Sequence, residues 1–253
     1  MSNLKLEMVS DLKPRPDAPF VNTARANGKL LLGLLILDMS ASMLRRLPDG
    51  MTRYAALVEA VIRWLRAMSL DEMLLDNFYV VIQGFNSNGT VTLVDSVLLG
   101  DLDIDALEKE LLSIKLAGAT PIGETMSAAL DMIQSKKREW NLSGTPYFEP
   151  MIVLLSDDDE NGQDDITAAA KRVDALLENE KLVLLPVGIG SDGASFPRLS
   201  RFVQAVGGES AVVSNRDDLR LFFRFLNQTV PALASGKIKL SSYGSWASNW
   251  QHT

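Results

Sequence analysis

The chain contains no cysteine, and among its 253 residues it has a single histidine, His252. The missing thiols exclude disulfides, zinc–thiolate sites and cysteine nucleophiles. One histidine near the end of the chain cannot supply a catalytic triad or a zinc site. Ligands for a metal or a substrate must therefore come chiefly from the oxygens of Asp, Glu, Ser and Thr.

Excess positive charge and long apolar runs are also absent. The formal net charge is −7, whereas phosphate binding needs an excess of clustered Lys and Arg, so we expect no general affinity for nucleic acid or for an anionic membrane. No apolar run approaches the roughly 20 residues of a membrane span. The first twenty residues lack the apolar core of a signal peptide. These features predict a cytoplasmic protein.

Strand-like and helix-like patterns alternate along the chain. Residues 30–38 and 151–157 are almost continuously apolar, which is typical of strands that are covered on both faces of a parallel sheet. Amphipathic stretches between such runs predict helices, and Thr52 is positioned as the N-cap of the first. The alternation predicts an α/β fold: a Rossmann-like, doubly wound, mostly parallel six-stranded sheet with helices on both faces.

One strand is expected to run antiparallel at an edge of this sheet. The pair Asn88-Gly89 separates the predicted strands 78–85 and 90–94, and Asn-Gly between two β-rich runs indicates a hairpin.

The patterns also predict where the domain begins and ends. Residues 1–28 carry three prolines without periodicity and are interpreted as an N-terminal extension. Residues 29–235 are expected to form one domain. Residues 236–253 form a tail whose Tyr243, Trp246 and Trp250 either dock a partner or pack back onto the domain.

Oxygen-bearing side chains follow two of the predicted strands. Asp38 ends the first strand, and Ser40 and Ser42 follow at alternate positions; Asp157 ends the fourth strand. Thr120 stands between them in a turn that Gly118 and Gly123 flank and that Pro121 stiffens. Ligands of open α/β sheets bind beyond the carboxyl ends of strands, where the strand order reverses. If the strand order is 3-2-1-4-5-6, Asp38 and Asp157 meet at that point.

The chemistry of this set favours a hard divalent cation. Two carboxylates and three hydroxyls suit Mg²⁺, with Mn²⁺ or Ca²⁺ as substitutes. Because few protein charges surround it, such an ion stays partly unneutralised and can accept a carboxylate from a partner. Asp38, Ser40 and Ser42 alone fit a helix N-cap equally well, but the addition of Thr120 and Asp157 favours the metal site.

The motif D-x-S-x-S after an apolar strand, a Gly-x-Thr-Pro loop and a later strand ending in Asp together resemble the von Willebrand factor type A family over residues 30–234. The resemblance implies that Asp38, Ser40, Ser42, Thr120 and Asp157 form a metal-ion-dependent adhesion site. In that family such a site binds a Glu or Asp side chain of a partner protein. Members usually have glycine after the last aspartate, where this chain has Asp158.

A narrower resemblance concerns the C-terminal half. The stretches LLPVGIGSDGASFPRLSRF and DDLRLFFRFLNQTV are similar to bacterial, cytoplasmic A-domain proteins of tellurium-resistance and related stress operons. This resemblance implies a protein kinase or protein phosphatase of the same operon as a partner.

Other interpretations compete with the adhesion site. A haloacid-dehalogenase-like phosphohydrolase would use Asp38 as its nucleophile and Mg²⁺ as its cofactor. Such enzymes need a second aspartate as general acid, but this chain has Ser40 at that position. They also need a lysine between Thr120 and Asp157, and only Lys136 or Lys137 could supply it. A purely structural A domain with a degenerate site is a third interpretation, against which the complete ligand set argues. With no acid, base or nucleophile positioned beyond the ligands, we expect the protein not to be an enzyme.

The acidic residues after Asp157 receive a separate interpretation. Asp158, Asp159 and Glu160 are predicted to form a solvated acidic loop rather than a second cation site.

Overall fold

The computed structural model of the chain describes residues 28–86, 88–118, 121–158, 165–179, 181–191 and 194–237. Nearly all of the predicted N-terminal extension and C-terminal tail lie outside the described residues, so the domain boundaries stay predictions. Several singled-out residues also lie outside them: Thr120, Asp159, Glu160, Tyr243, Trp246, Trp250 and His252.

Six strands form one mixed sheet in the order β3-β2-β1-β4-β5-β6. Their bounds are β1 Leu31–Asp38, β2 Phe78–Asn86, β3 Gly89–Leu98, β4 Met151–Ser156, β5 Val183–Ile189 and β6 Ala211–Val213. Every neighbouring pair is parallel except β2 and β3, which form the antiparallel hairpin at the edge. The predicted fold class is therefore confirmed, including its antiparallel edge strand.

Helices cover the sheet. Their bounds are α1 Arg53–Met68, α2 Glu72–Asn77, α3 Ile104–Ser113, α4 Ile122–Leu142, α5 Thr167–Glu178, α6 Pro197–Arg201 and α7 Arg216–Ala234. Helix α1 packs against α3 and α7, and α4 packs against α5. All eight residues of β1 are buried, which requires cover on both faces because successive side chains of a strand point to opposite sides. None of the helices in the described ranges combines the length and apolar character needed to cross a membrane.

The start of α1 confirms the predicted cap. The hydroxyl oxygen of Thr52 accepts a hydrogen bond from the backbone N–H of Ala55 at 3.2 Å. Two other helical segments differ from expectation. Helix α2 was not predicted, because six residues are too few to show a 3.6-residue period. The apolar pattern of residues 196–207 predicts one helix, but the structure has α6 followed by a 3₁₀ turn, Gln204–Val206, since an apolar spacing of three suits both kinds of helix.

A close contact inside β5 gives a prediction about packing. A methyl group on Gly188 would overlap the buried ring of Phe196, which is the N-cap residue of α6. We expect Gly188→Ala to lower the free energy of unfolding by about 1–3 kcal/mol, measured by denaturant titration, because the ring has little room to move. Gly28→Ala is the control, since its nearest neighbour would be the Asn77 side chain at 3.7 Å. Equal stability of the two variants would contradict the prediction.

Candidate metal site at the carboxyl ends of two central strands

The structure brings Asp38 and Asp157 to the same edge of the sheet. Asp38 is the last residue of β1, and Asp157 directly follows β4. The two strands are parallel neighbours with Leu37 opposite Leu155, so their carboxyl ends meet. This is the point where the strand order reverses, which is where open α/β sheets bind ligands.

Asp38 is held from two sides. One oxygen, Oδ1, accepts the backbone N–H of Ser40 at 2.8 Å, and Oδ2 accepts the hydroxyl of Ser156 at 2.5 Å. The side chain is completely buried. Burial raises the pKa of Asp38 from 3.8 to about 6; the hydrogen bonds from Ser156 and Ser40 oppose this rise, and the charge of Asp157 adds to it.

Sequence reasoning missed Ser156. It is the last residue of β4 and follows Leu155, the partner of Leu37, so the parallel register sets it opposite Asp38. Only knowledge of that register would have identified it, because a serine before Asp157 carries no signal by itself.

The two serines connect the carboxylates. The hydroxyl oxygens of Ser40 and Ser42 lie 2.8 Å apart, and the hydroxyl of Ser42 donates to Oδ1 of Asp157, also at 2.8 Å. Ser40 is buried and Ser42 half-buried. Oxygens of Ser40, Ser42 and Asp157 therefore form a continuous chain, and Asp38 joins it through the backbone N–H of Ser40.

Thr120 lies outside the described residues, but Ala117 and Gly118, just before it, are described and hydrogen-bonded. The carbonyl oxygen of Gly118 accepts a hydrogen bond from the N–H of Ala41 at 3.4 Å. The N–H of Ala117 donates to the carbonyl oxygen of Met39 at 3.3 Å. The segment that leads to Thr120 is thus bonded to the loop that carries Ser40.

Arg53 is a site residue that sequence reasoning did not find. It is the first residue of α1, and its Nη1 lies 2.7 Å from Oδ2 of Asp157, whose side chain is completely buried. The D-x-S-x-S motif says nothing about this position. A signal did exist, since a cation in the first turn of a helix is disfavoured by the helix dipole and so calls for a partner.

Asp158 departs from the prediction of a solvated acidic loop, which is wrong for this residue. Asp158 is 5% exposed, and its Oδ2 accepts the backbone N–H groups of Arg198 and Leu199 at 3.0 and 3.4 Å. Burial raises its pKa to about 6, and these two hydrogen bonds oppose the rise. Its φ of 50° lies in the left-handed region that glycine favours, so the backbone here suits the glycine of the family pattern.

The hard oxygen donors of this set fit Mg²⁺. Neighbouring oxygens around an octahedral Mg²⁺ lie about 2.9 Å apart, given metal–oxygen distances of about 2.0–2.1 Å. The two oxygen–oxygen distances that involve Ser42, both 2.8 Å, are close to this spacing, which is also the ordinary O–H···O hydrogen-bond distance. Across the described residues, no group of three or more His, Cys, Asp or Glu could hold a metal. A metal at this edge therefore depends on the serine hydroxyls as well as on the carboxylates.

The same structure argues against the phosphohydrolase. Lys136 bonds Glu139 at 3.0 Å and lies 4.9 Å from the ring centroid of Tyr79, near the start of β2. Lys137 bonds Glu149, which precedes β4, at 3.1 Å. Both lysines are therefore at the amino ends of the strands, the opposite edge of the sheet from Asp38.

Comparisons with known proteins show the fold. Neither a protein-family model nor a curated protein matches the sequence. The vWF domain of the type V pili tip protein Mfa5 from Porphyromonas gingivalis matches with a TM-score of 0.58 and 10% identity, over 83% of this chain and 97% of that one. The chain has a von Willebrand factor A-like fold.

Two further solved structures share the A-like fold. An aerotolerance-related membrane protein from Bacteroides fragilis matches with a TM-score of 0.53 and 16% identity, over 83% of this chain and 100% of that one. The pilus adhesin SpaC from Lactobacillus rhamnosus GG matches with a TM-score of 0.57 and 14% identity, over 81% of this chain. The chain spans 31% of SpaC and 62% of the PilB minor pilin from Streptococcus sanguinis. Identities this low carry the fold alone.

Proposed function

We propose that the protein binds one divalent cation, Mg²⁺ first of all, and uses it to hold a Glu or Asp side chain of a partner protein. Mn²⁺ and Ca²⁺ are the expected substitutes. The ligands are Asp38, Ser40, Ser42, Thr120 and Asp157. The observation that carries the proposal is that Asp38, Ser40, Ser42 and Asp157 meet at the strand-order reversal, where the two serine hydroxyls and Oδ1 of Asp157 form a chain of oxygens and Asp38 accepts the N–H of Ser40.

The protein side chains have distinct tasks in this proposal. Ser40 N–H and the Ser156 hydroxyl orient Asp38, which leaves little freedom to its buried carboxylate. Ser40 and Ser42 offer neutral oxygens, so they add ligands without adding charge. When bound, the cation supplies an electrophilic centre for an external carboxylate. The A-like fold supports this use, because a vWF domain of a pilus tip protein and a pilus adhesin share it.

Calorimetric titration with MgCl₂ and MnCl₂ tests metal binding. We expect one site in the wild type, and an affinity that drops about tenfold or more in Ser42→Ala, because Ser42 touches both Ser40 and Asp157. Ser69→Ala is the matched control, since its hydroxyl donates to the carbonyl of Arg66 at the far end of α1. A wild-type protein that binds neither metal at millimolar concentration would overturn the proposal.

We further propose a bacterial stress-response setting, in which the partner is a protein kinase or protein phosphatase of the same operon. The support is the resemblance of residues 184–202 and 217–230 to tellurium-resistance-associated A-domain proteins. The operon's kinase and phosphatase should co-purify with the wild type in Mg²⁺ and be lost in EDTA. Retention of the partner in EDTA would argue for a metal-independent contact.

The last part of the proposal is that the protein is not an enzyme. Ser40 cannot act as the second carboxylic acid of a phosphohydrolase, and both candidate lysines lie at the opposite edge of the sheet. We expect no steady Mg²⁺-dependent hydrolysis of phosphate esters. Turnover that Asp38→Asn abolishes would instead favour the phosphohydrolase.

A further inference from the structure

We propose that Arg53 lowers the affinity of this site for the metal and raises the affinity of the metal-loaded site for an acidic partner. The inference rests on the proposed function. Its physical origin is that Asp157, one of two carboxylates available to the ion, is already paired with a resident cation.

The pairing leaves no oxygen of Asp157 unused. Oδ1 accepts the Ser42 hydroxyl at 2.8 Å, and Oδ2 faces Nη1 of Arg53 at 2.7 Å. The Asp157 side chain is fully buried and that of Arg53 is 14% exposed. A buried carboxylate needs a counter-charge, and within the described residues Arg53 is its ion-pair partner.

The surroundings of Arg53 disfavour its positive charge and leave one of its N–H groups without a hydrogen-bond acceptor among the described residues. It occupies the first position of α1, where the helix dipole disfavours a cation, and the first turn holds no acidic residue to compensate. Its Nε is buried and has no hydrogen-bond partner among the described residues. Asp157 is the recorded partner of this guanidinium among the described residues, so a metal that binds the same carboxylate competes with Arg53 for it.

Charge counting gives the two consequences. A divalent ion with Asp38 and Asp157 ionised forms a neutral assembly, and Arg53 adds one positive charge to it. The guanidinium therefore repels the incoming metal, which lowers metal affinity. The same extra charge attracts an external carboxylate to the loaded site, so Arg53 favours Glu or Asp over a neutral ligand.

Calorimetry on charge variants tests the inference. Arg53→Gln should bind Mn²⁺ about tenfold more tightly than the wild type, and Arg53→Lys, which keeps the charge, should stay near the wild-type value. Arg63→Gln is the matched control, since Arg63 lies on the same helix, is 62% exposed and pairs with Glu59. A purely structural role would lower affinity in Arg53→Gln, so an equal or weaker affinity overturns the inference. A wild type that binds no metal overturns the proposed function instead.

A second measurement covers the case in which Arg53→Gln does not fold. In the wild type, the Nε–H resonance of Arg53, assigned by its loss in Arg53→Lys, should shift as Mg²⁺ is added and saturate together with the calorimetric signal. The Arg63 resonance should stay still. Metal binding with an unmoved Arg53 resonance would overturn the inference.

Discussion

Asp38→Asn is expected to stabilise the metal-free protein at pH 7 by about 3 kcal/mol while it removes Mg²⁺ binding. Asp38 is fully buried, and its pKa is raised from 3.8 to about 6, so at neutral pH the fold carries an ionised group in a place that favours the neutral form. Asparagine has the same shape and no charge. Its carbonyl accepts the Ser40 N–H, and its amide can donate to the hydroxyl oxygen of Ser156.

The pH dependence of this effect follows from the sign of the shift. Because the folded protein holds the proton of Asp38 more tightly than the unfolded chain does, the stabilising contribution is complete below pH 3.8 and is lost as the pH rises through about 6. Denaturant unfolding in EDTA should therefore show a larger advantage for the variant at pH 7.5 than at pH 5. Part of the pH dependence should persist in the variant, since burial also raises the pKa of Asp158.

Calorimetry on the same samples completes the test. The variant should give no Mg²⁺ signal, because a neutral amide replaces one of the two carboxylates in the proposed ligand set. If the variant is less stable than the wild type at pH 7, the buried charge of Asp38 does not lower the free energy of unfolding as we expect.

Asp157→Asn is expected to act in the opposite direction on stability, with a loss of about 3 kcal/mol, and again to remove Mg²⁺ binding. The reason is Arg53, whose guanidinium would lose its carboxylate while it remains mostly buried at the start of α1. Partial access to water keeps the loss at the lower end of the range for broken buried pairs.

Two comparisons control this second prediction. Asp131→Asn removes a carboxylate from an exposed pair with Arg172 and should cost at most about 1 kcal/mol. The double variant Asp157→Asn, Arg53→Gln should regain part of the lost stability, because it leaves no unpaired charge. If Asp157→Asn costs no more than Asp131→Asn, the ion pair with Arg53 does not stabilise the fold.

Several features of the fold could be predicted from the sequence because they are local properties of the chain. The continuous apolar runs of β1 and β4 indicate strands covered on both faces, and Asn88-Gly89 indicates the hairpin that places β3 at the edge. Thr52 was predictable as a cap from its position before an amphipathic run. The alternate spacing of Asp38, Ser40 and Ser42 likewise belongs to one short segment.

What the sequence alone determined is therefore the fold class and the kinds of oxygen at the candidate site. Only the tertiary structure decided the surroundings of those oxygens. Ser156 donates to Asp38, Asp158 is buried against α6, and Arg53 pairs with Asp157, 104 residues away in the chain. Periodicity and capping arise between residues a few positions apart, so a sequence displays them directly. The pairing of Arg53 with Asp157 arises from strand order, parallel register and the point where α1 begins, and these are set by packing the whole sheet against its helices.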